Sequence, residues 1–162
     1  LRERKNIMIR ELMVNGAKNI PANYAAKVDM VTGMGVQLVK GEVVLPSAET
    51  SDDLYMVAHE FNPEGIYSSL TNFDDYDEMV TAIKANQFVK LVPLYTGEQY
   101  GTDQYASGIA VDGNKGKVLK VGTNGKWDVA TGASRYELHD IMDDNGHKLI
   151  VIRVLDVAKT VA

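Results

Sequence analysis

The sequence predicts a mainly β fold, a β-barrel or sandwich-like domain with one main α-helix over residues 74–85 and an extended N-terminal arm. Three observations lead there. Short apolar runs recur from Val28 onward, cut by Gly, Pro, Asn and Asp. Two of the cuts, Gly122-Thr123-Asn124-Gly125 and Asp143-Asp144-Asn145-Gly146, carry hairpin-turn chemistry between apolar flanks. One segment has sustained helical spacing: Tyr76, Met79, Val80 and Ile83 fall at i, i+3, i+4 and i+7.

Taken in order, residues 1–26 form the arm and 27–162 a single β-rich domain. Ile9, Leu12 and Met13 have helical spacing, which Asn15-Gly16 limits to about one turn. Asn19–Ala26, with Pro21 inside, reads as extended chain that lies against its own domain or a neighbour. Val36–Val39 and Glu42–Leu45 surround Lys40-Gly41, as a hairpin or as one strand bulged at Gly41. Pro46 ends that unit, Ser47–Asp53 is a polar loop, and Leu54–Phe61 is a strand closed by the Asn62–Gly65 turn. The helix takes Asn72 or Asp74 as its cap, with acidic residues in its first turn, where the helix dipole favours them. Gln87–Tyr95 returns to β, with Pro93 marking an edge or a bulge. Lys117–Val121 and Lys126–Ala130 flank the first hairpin, where Asn-Gly supplies positive φ values. Tyr136–Met142 and Lys148–Asp156 flank the second. The latter is apolar on both parities, as a central strand covered on both faces would be. Val157–Ala162 is expected to fray. With about six to nine strands, a small barrel or sandwich is the matching architecture.

The totals exclude several classes. At 162 residues one domain is expected, with a core burying roughly two-thirds of the unfolded surface. The net charge is -5, a poor match to phosphate backbones, so no nucleic acid partner is expected. There is no Cys, hence no disulfide, thiolate metal site or cysteine nucleophile. No apolar run reaches the roughly 20 residues of a membrane-spanning helix, so no membrane partner is expected either. The chain opens on Leu1, and Arg2–Lys5 would be encoded by a purine-rich, ribosome-binding-like stretch ahead of Met8. Translation from Met8 is one expectation; proteolytic maturation and truncation are the others.

No residue pattern compels a reaction, and no cofactor is expected. His59 and His139 each adjoin a carboxylate (Glu60, Asp140), but neighbours in a strand point to opposite faces. His147 lies beside a turn. Asp74, Asp75, Asp77 and Glu78 read as dipole complementarity rather than as converging metal ligands. Asp112–Gly116 echoes a calcium loop but lacks its third acidic ligand and closing Glu. No catalytic or metal residue is assigned. Lys115, Lys117, Lys120 and Lys126 form a local basic patch, facing either solvent or an acidic partner. Tyr95, Tyr100 and Tyr105 recur every five residues; tyrosine has an apolar body and a polar tip, so both core and interface readings stand.

Gly97-Glu98, then Thr102-Asp103-Gln104-Tyr105, the Asp112–Gly116 turn, Lys117–Val121 and the Asn-Gly hairpin into Val129-Ala130-Thr131 together resemble the small β-rich capsid decoration (cement) proteins of tailed bacteriophages and related head proteins. The resemblance covers the C-terminal part of the chain and does not account for the helix at 74–85. It implies a non-enzymatic virion structural protein, made in the bacterial host cytoplasm, on the capsid surface. The implied partners are the major capsid protein, whose subunits it bridges and stabilises, and further copies of itself, typically as a trimer. The contact residues expected are Ile9, Leu12, Ile20 and Tyr24 from the arm, with Tyr95, Glu98, Tyr100, Thr102, Asp103 and Tyr105 from the domain. The rivals are another assembly subunit (tail tube or head–tail connector) and a ligand-binding or hydrolytic barrel using His59, His139 and Asp140.

Overall fold

The computed structural model describes residues 9–16, 18–58, 82–144 and 146–161. The strands begin with β1 (Ile9–Met13), β2 (Tyr24–Ala26), β3 (Met30–Val31), β4 (Gly35–Val39), β5 (Glu42–Val44) and β6 (Tyr55–Ala58). Beyond residue 81 come β7 (Ala82–Ile83), β8 (Phe88–Pro93) and β9 (Gln99–Thr102). The chain ends with β10 (Leu119–Val121), β11 (Trp127–Val129), β12 (Ser134–Asp144) and β13 (His147–Lys159). Strands dominate, as expected, and β2-β5-β4-β6-β8 close into a barrel.

Turn chemistry sets the local pairings. Val39 pairs with Glu42, leaving Lys40 and Gly41 as a two-residue loop with φ of 51° and 80°. Two consecutive positive φ values give a type I′ hairpin, whose twist matches the flanking strands. The β10–β11 hairpin works differently from the expectation. Only Gly125 has positive φ there (77°). Its N–H bonds Gly122 O at 3.0 Å, and Gly122 N–H bonds Lys126 O at 3.0 Å. That is the three-residue loop ending in a left-handed glycine. Asn124 contributes its side chain instead, accepting Lys126 N–H at 3.1 Å.

Two apolar cores share walls. Ala26, Met30, Val36, Val43, Val57, Ile83, Val89 and Leu91 fill the barrel. A larger core joins Met56, Ala58 and Val92 to Tyr100, Leu119, Val121, Trp127, Tyr136, Leu138, Ile150 and Ile152. β6 and β8 therefore serve both cores: Val57 and Leu91 face the barrel, while Met56, Ala58 and Val92 face the second core. This is period-2 alternation with both faces buried. Trp127 and Tyr136 meet edge to face, their centroids 5.4 Å apart.

The second core is roofed by an antiparallel sheet ordered β1-β9-β13-β12. Leu149 to Ile152 are all buried and β13 lies between β9 and β12, as its apolar sequence implied. The barrel side meets the β10–β11 hairpin at Gly35 and the four-stranded sheet at Gly33. A Cβ on Gly35 would lie 2.3 Å from Val121 Cγ2, so only glycine permits the approach. Gly33 O accepts the Thr102 hydroxyl at 3.0 Å and Trp127 Nε1–H at 3.3 Å.

Three local expectations are corrected. The helix over 74–85 lies mostly outside the described residues, with Tyr76, Met79 and Val80. Its described end is not helical. Ala82–Ile83 pairs with β3, Ile83 is buried in the barrel core, and Asn86 adopts φ 71° in a turn. Among the described residues there is no α-helix, only a 3-10 turn at Asp112–Asn114. Tertiary pairing and burial of Ile83 override the 3.6-residue spacing. Ile9–Met13 is likewise a strand rather than a helical turn, because β9 offers it a ladder. The tail does not fray at Val157: β13 runs to Lys159, which pairs with Ser134 and reaches the Glu137 carboxylate.

Candidate functional site

The N-terminal segment is fastened by a buried polar clip. Gly97 (φ 86°) turns the chain so that Glu98 N–H returns to Tyr95 O at 3.1 Å. The Glu98 carboxylate then accepts Tyr95 N–H at 2.7 Å, Asn15 N–H at 2.8 Å and Lys18 Nζ at 2.8 and 2.9 Å. Lys18 also donates to Pro93 O at 2.9 Å and to the Tyr100 hydroxyl. Its three ammonium donors thus have three acceptors. The ammonium sits 4.8 Å from the Tyr100 ring centroid and 5.7 Å from that of Tyr95, within cation–π range. Both charged side chains are only 3–4% exposed.

The electrostatics follow from these contacts. Burial pushes the Glu98 carboxyl up, but the hydrogen bonds from Lys18, Asn15 and Tyr95 outweigh it, and its pKa falls below the ordinary value. Burial, then the charges of Glu98 and Glu11, raise the Tyr100 phenol well above its usual value. The clip is therefore a fixed ammonium–carboxylate pair with a neutral phenol.

Outside the clip, β1 lies along β9 with Ile9 opposite Thr102 and Glu11 opposite Tyr100. Arg10 also forms an ion pair with Asp144. At the end of this ladder apolar side chains are exposed. Leu12, Met13 and Val14 are 40%, 58% and 40% exposed. Among the described residues no strand pairs with the outer rim of β1.

The ten expected contact residues divide sharply. Leu12 and Tyr95 are exposed. Ile9 and Ile20 pack against the larger core, and Tyr24 against the barrel core. Tyr105 is half-buried, with its hydroxyl donating to Lys148 O at 2.9 Å. Glu98, Tyr100, Thr102 and Asp103, in and beside β9, are buried: Tyr100 packs into the larger core, Thr102 reaches Gly33 O and Glu98 pairs with Lys18. Thr102 accepts Gln104 N–H, Asp103 accepts Gln104 Nε2–H at 3.1 Å, and His147 Nδ1 stands 3.8 Å from the Asp103 carboxylate. These four side chains are interior and do not present themselves to a partner.

Of the rival site, only His139 and Asp140 fall among the described residues. His59 and the acidic knot at 74–78 lie outside the described residues. His139 is 3.8 Å from Glu137, while Asp140 is taken up by Lys115 at 2.8 Å. Hydrogen bonding from Lys115, then from Ile141 N–H, holds the Asp140 carboxyl below its ordinary value. Lys115 also pairs with Asp112 at 3.0 Å, so a lysine ammonium neutralises the turn that echoed a calcium loop. Among the described residues no group of three or more His, Asp or Glu is arranged to hold a metal. The basic patch is reduced as well, since Lys120 pairs with Glu49.

Lys18 escaped sequence reasoning. It is one lysine in a polar arm, and its partner lies 80 residues away. Comparison with family models, with curated proteins and with solved structures finds no match.

Proposed function

We propose that this chain is a non-enzymatic structural protein of a tailed-phage virion, docking on the capsid surface as a trimer and bridging major capsid subunits. One observation carries the reading: an edge strand presents Leu12, Met13 and Val14 outward while a buried ion pair fixes its root. Exposed strand edges without a covering element invite pairing with another chain. Main-chain hydrogen bonds then give affinity, and alternate side chains give selectivity. The resemblance of residues 97–131 to decoration proteins supplies the kind of partner. The net charge of -5 does not favour nucleic acid in that role.

Co-sedimentation with expanded capsids lacking this protein, combined with mass measurement in solution, tests the reading. Saturable binding and a trimeric mass are expected. Met13→Lys places a charge on the exposed edge and is expected to abolish co-sedimentation, with stability changed by no more than about 0.5 kcal/mol. A monomer that never sediments with capsids refutes the proposal. Rings or tubes seen by electron microscopy select the tail-tube or connector reading instead.

A further inference from the structure

A cleft of about 800 Å³ opens between the barrel wall and the ends of the long hairpin. The residues that line it include Tyr55, Tyr95, Tyr136, Asp52, Asp53 and Arg135. The volume falls in the range of about 300–1,000 Å³ usual for small-ligand sites. We propose that this cleft binds a short neutral oligosaccharide, an activity separate from capsid docking.

The lining chemistry leads to that class. A sugar offers C–H faces, which stack on aromatic rings, and vicinal hydroxyls, which need donors and acceptors side by side. Tyr55 and Tyr95 supply the rings, Tyr136, whose ring is packed on Trp127, supplies a hydroxyl, and the acidic side chains and Arg135 supply acceptors and donors. Two carboxylates against one guanidinium disfavour an anionic ligand, and so much polar lining disfavours a purely apolar one.

The groups are held in place beforehand. Arg135 Nε–H donates to Leu155 O at 3.0 Å, and its terminal nitrogen donates to Thr96 Oγ1 at 2.9 Å. The loop bearing both aspartates is tied down by Ser51 Oγ to Ala133 O at 3.1 Å and by pairing of Thr50 with Val121. Asp53 is fixed at φ 51°. Tyr136 is 7% exposed, and the Leu54 backbone N–H faces its hydroxyl oxygen. Burial raises that phenol above its ordinary value, so it stays protonated as a donor. Such a shell of supporting contacts keeps the ordering cost of binding low.

Titration of the ¹⁵N-labelled protein with maltotriose, mannotriose and triacetylchitotriose, followed by amide chemical shifts, tests the proposal. Saturable shifts confined to residues 51–55, 93–96 and 133–136 are expected with at least one sugar. Tyr136→Phe keeps the ring and removes the donor. Asp53→Asn keeps a residue type that tolerates positive φ and removes the charge. Each is expected to weaken binding about five- to tenfold. Unchanged amide shifts elsewhere in each variant verify the fold. The proposal is overturned by an absence of saturation with all three sugars, by shifts located elsewhere, or by affinities that neither variant alters. Cleft shifts produced by an alternating valine–threonine heptapeptide, and not by the sugars, overturn it in favour of peptide docking.

Discussion

The two edges of the four-stranded sheet are closed in different ways. Along β12, residues 116–118 lie against the strand: Gly116 N–H bonds Leu138 O and Leu138 N–H bonds Lys117 O, both at 2.8 Å. Two register shifts bend β12, and His139 and Asp140 line its exposed stretch. Along β1 Arg10, Glu11, Leu12 and Met13 are all exposed, as is Val14 just after it, and the fastening lies behind the strand, in the Lys18–Glu98 clip. Covering, bulging and charging an edge are devices that prevent association. One edge carries all three. The other carries exposed Arg10 and Glu11 and a single register shift, between Glu11 and Met13, but no strand pairs its outer rim among the described residues, and a costly buried ion pair keeps it in a fixed position. The asymmetry argues that β1 is presented rather than protected.

The largest effect is expected at the clip. Lys18→Met leaves the buried Glu98 carboxylate without its cation, which costs about 3–5 kcal/mol in urea unfolding. Amide exchange should accelerate along 9–15 more than along β12. The double variant Lys18→Met/Glu98→Met should recover part of that loss, since an apolar pair often replaces a buried ion pair without penalty, while Asn15 N–H, Tyr95 N–H and Pro93 O lose their partners. Full loss in the double variant would mean that these backbone bonds, rather than the charge pair, hold the segment. Acid probes the same contact. The folded-state pKa of Glu98 is depressed, so its stabilisation is present above the unfolded value of about 4.3 and is lost as pH falls through the folded value. Melting curves from neutral pH down to this acid range should fall more steeply for the native chain than for Glu98→Gln.

A smaller effect is expected at the root of the β12 edge. The Ser134 hydroxyl donates to Leu119 O at 2.6 Å and accepts Tyr136 N–H at 3.1 Å, all buried. Ser134→Ala leaves that carbonyl and that amide short of a partner, at about 1–3 kcal/mol. Exchange should rise at Leu119 and Tyr136 while residues 9–15 keep their protection. Equal loosening at both edges would end the distinction drawn between them.

What the sequence disclosed about these edges follows contact range. Lys40-Gly41, Gly122–Gly125 and the apolar run Leu149–Ile152 were readable because turn geometry and two-sided burial are written in adjacent residues. The pairing of Ile9–Met13 with Gln99–Thr102 spans most of the chain, and three apolar residues at helical spacing pointed the wrong way. Ile83 completed a helical stripe in sequence but fills the barrel core opposite Met30. Tyr95, Tyr100 and Tyr105 look alike in sequence. Only the packing of one face of β9 on the larger core decides that Tyr100 is interior while Tyr95 remains outside. The cleft draws its walls from segments between 37 and 158, and no local pattern could announce it.

The smallest effect is expected on the exposed stretch of β12. Asp140 pairs with Lys115, and both are solvent-exposed. Exposed ion pairs contribute little because water screens them and two side chains must be ordered to make them. Asp140→Asn should therefore leave the unfolding midpoint and capsid co-sedimentation where they are, although it removes a charge from a sheet edge. The backbone bonds from residues 116–117 to Leu138 remain in that variant, so cover still closes this edge. If the variant associates with itself in sedimentation experiments, charge rather than cover was the protection at β12. The contrast with β1, which carries exposed Arg10 and Glu11 of its own, would then lose its basis.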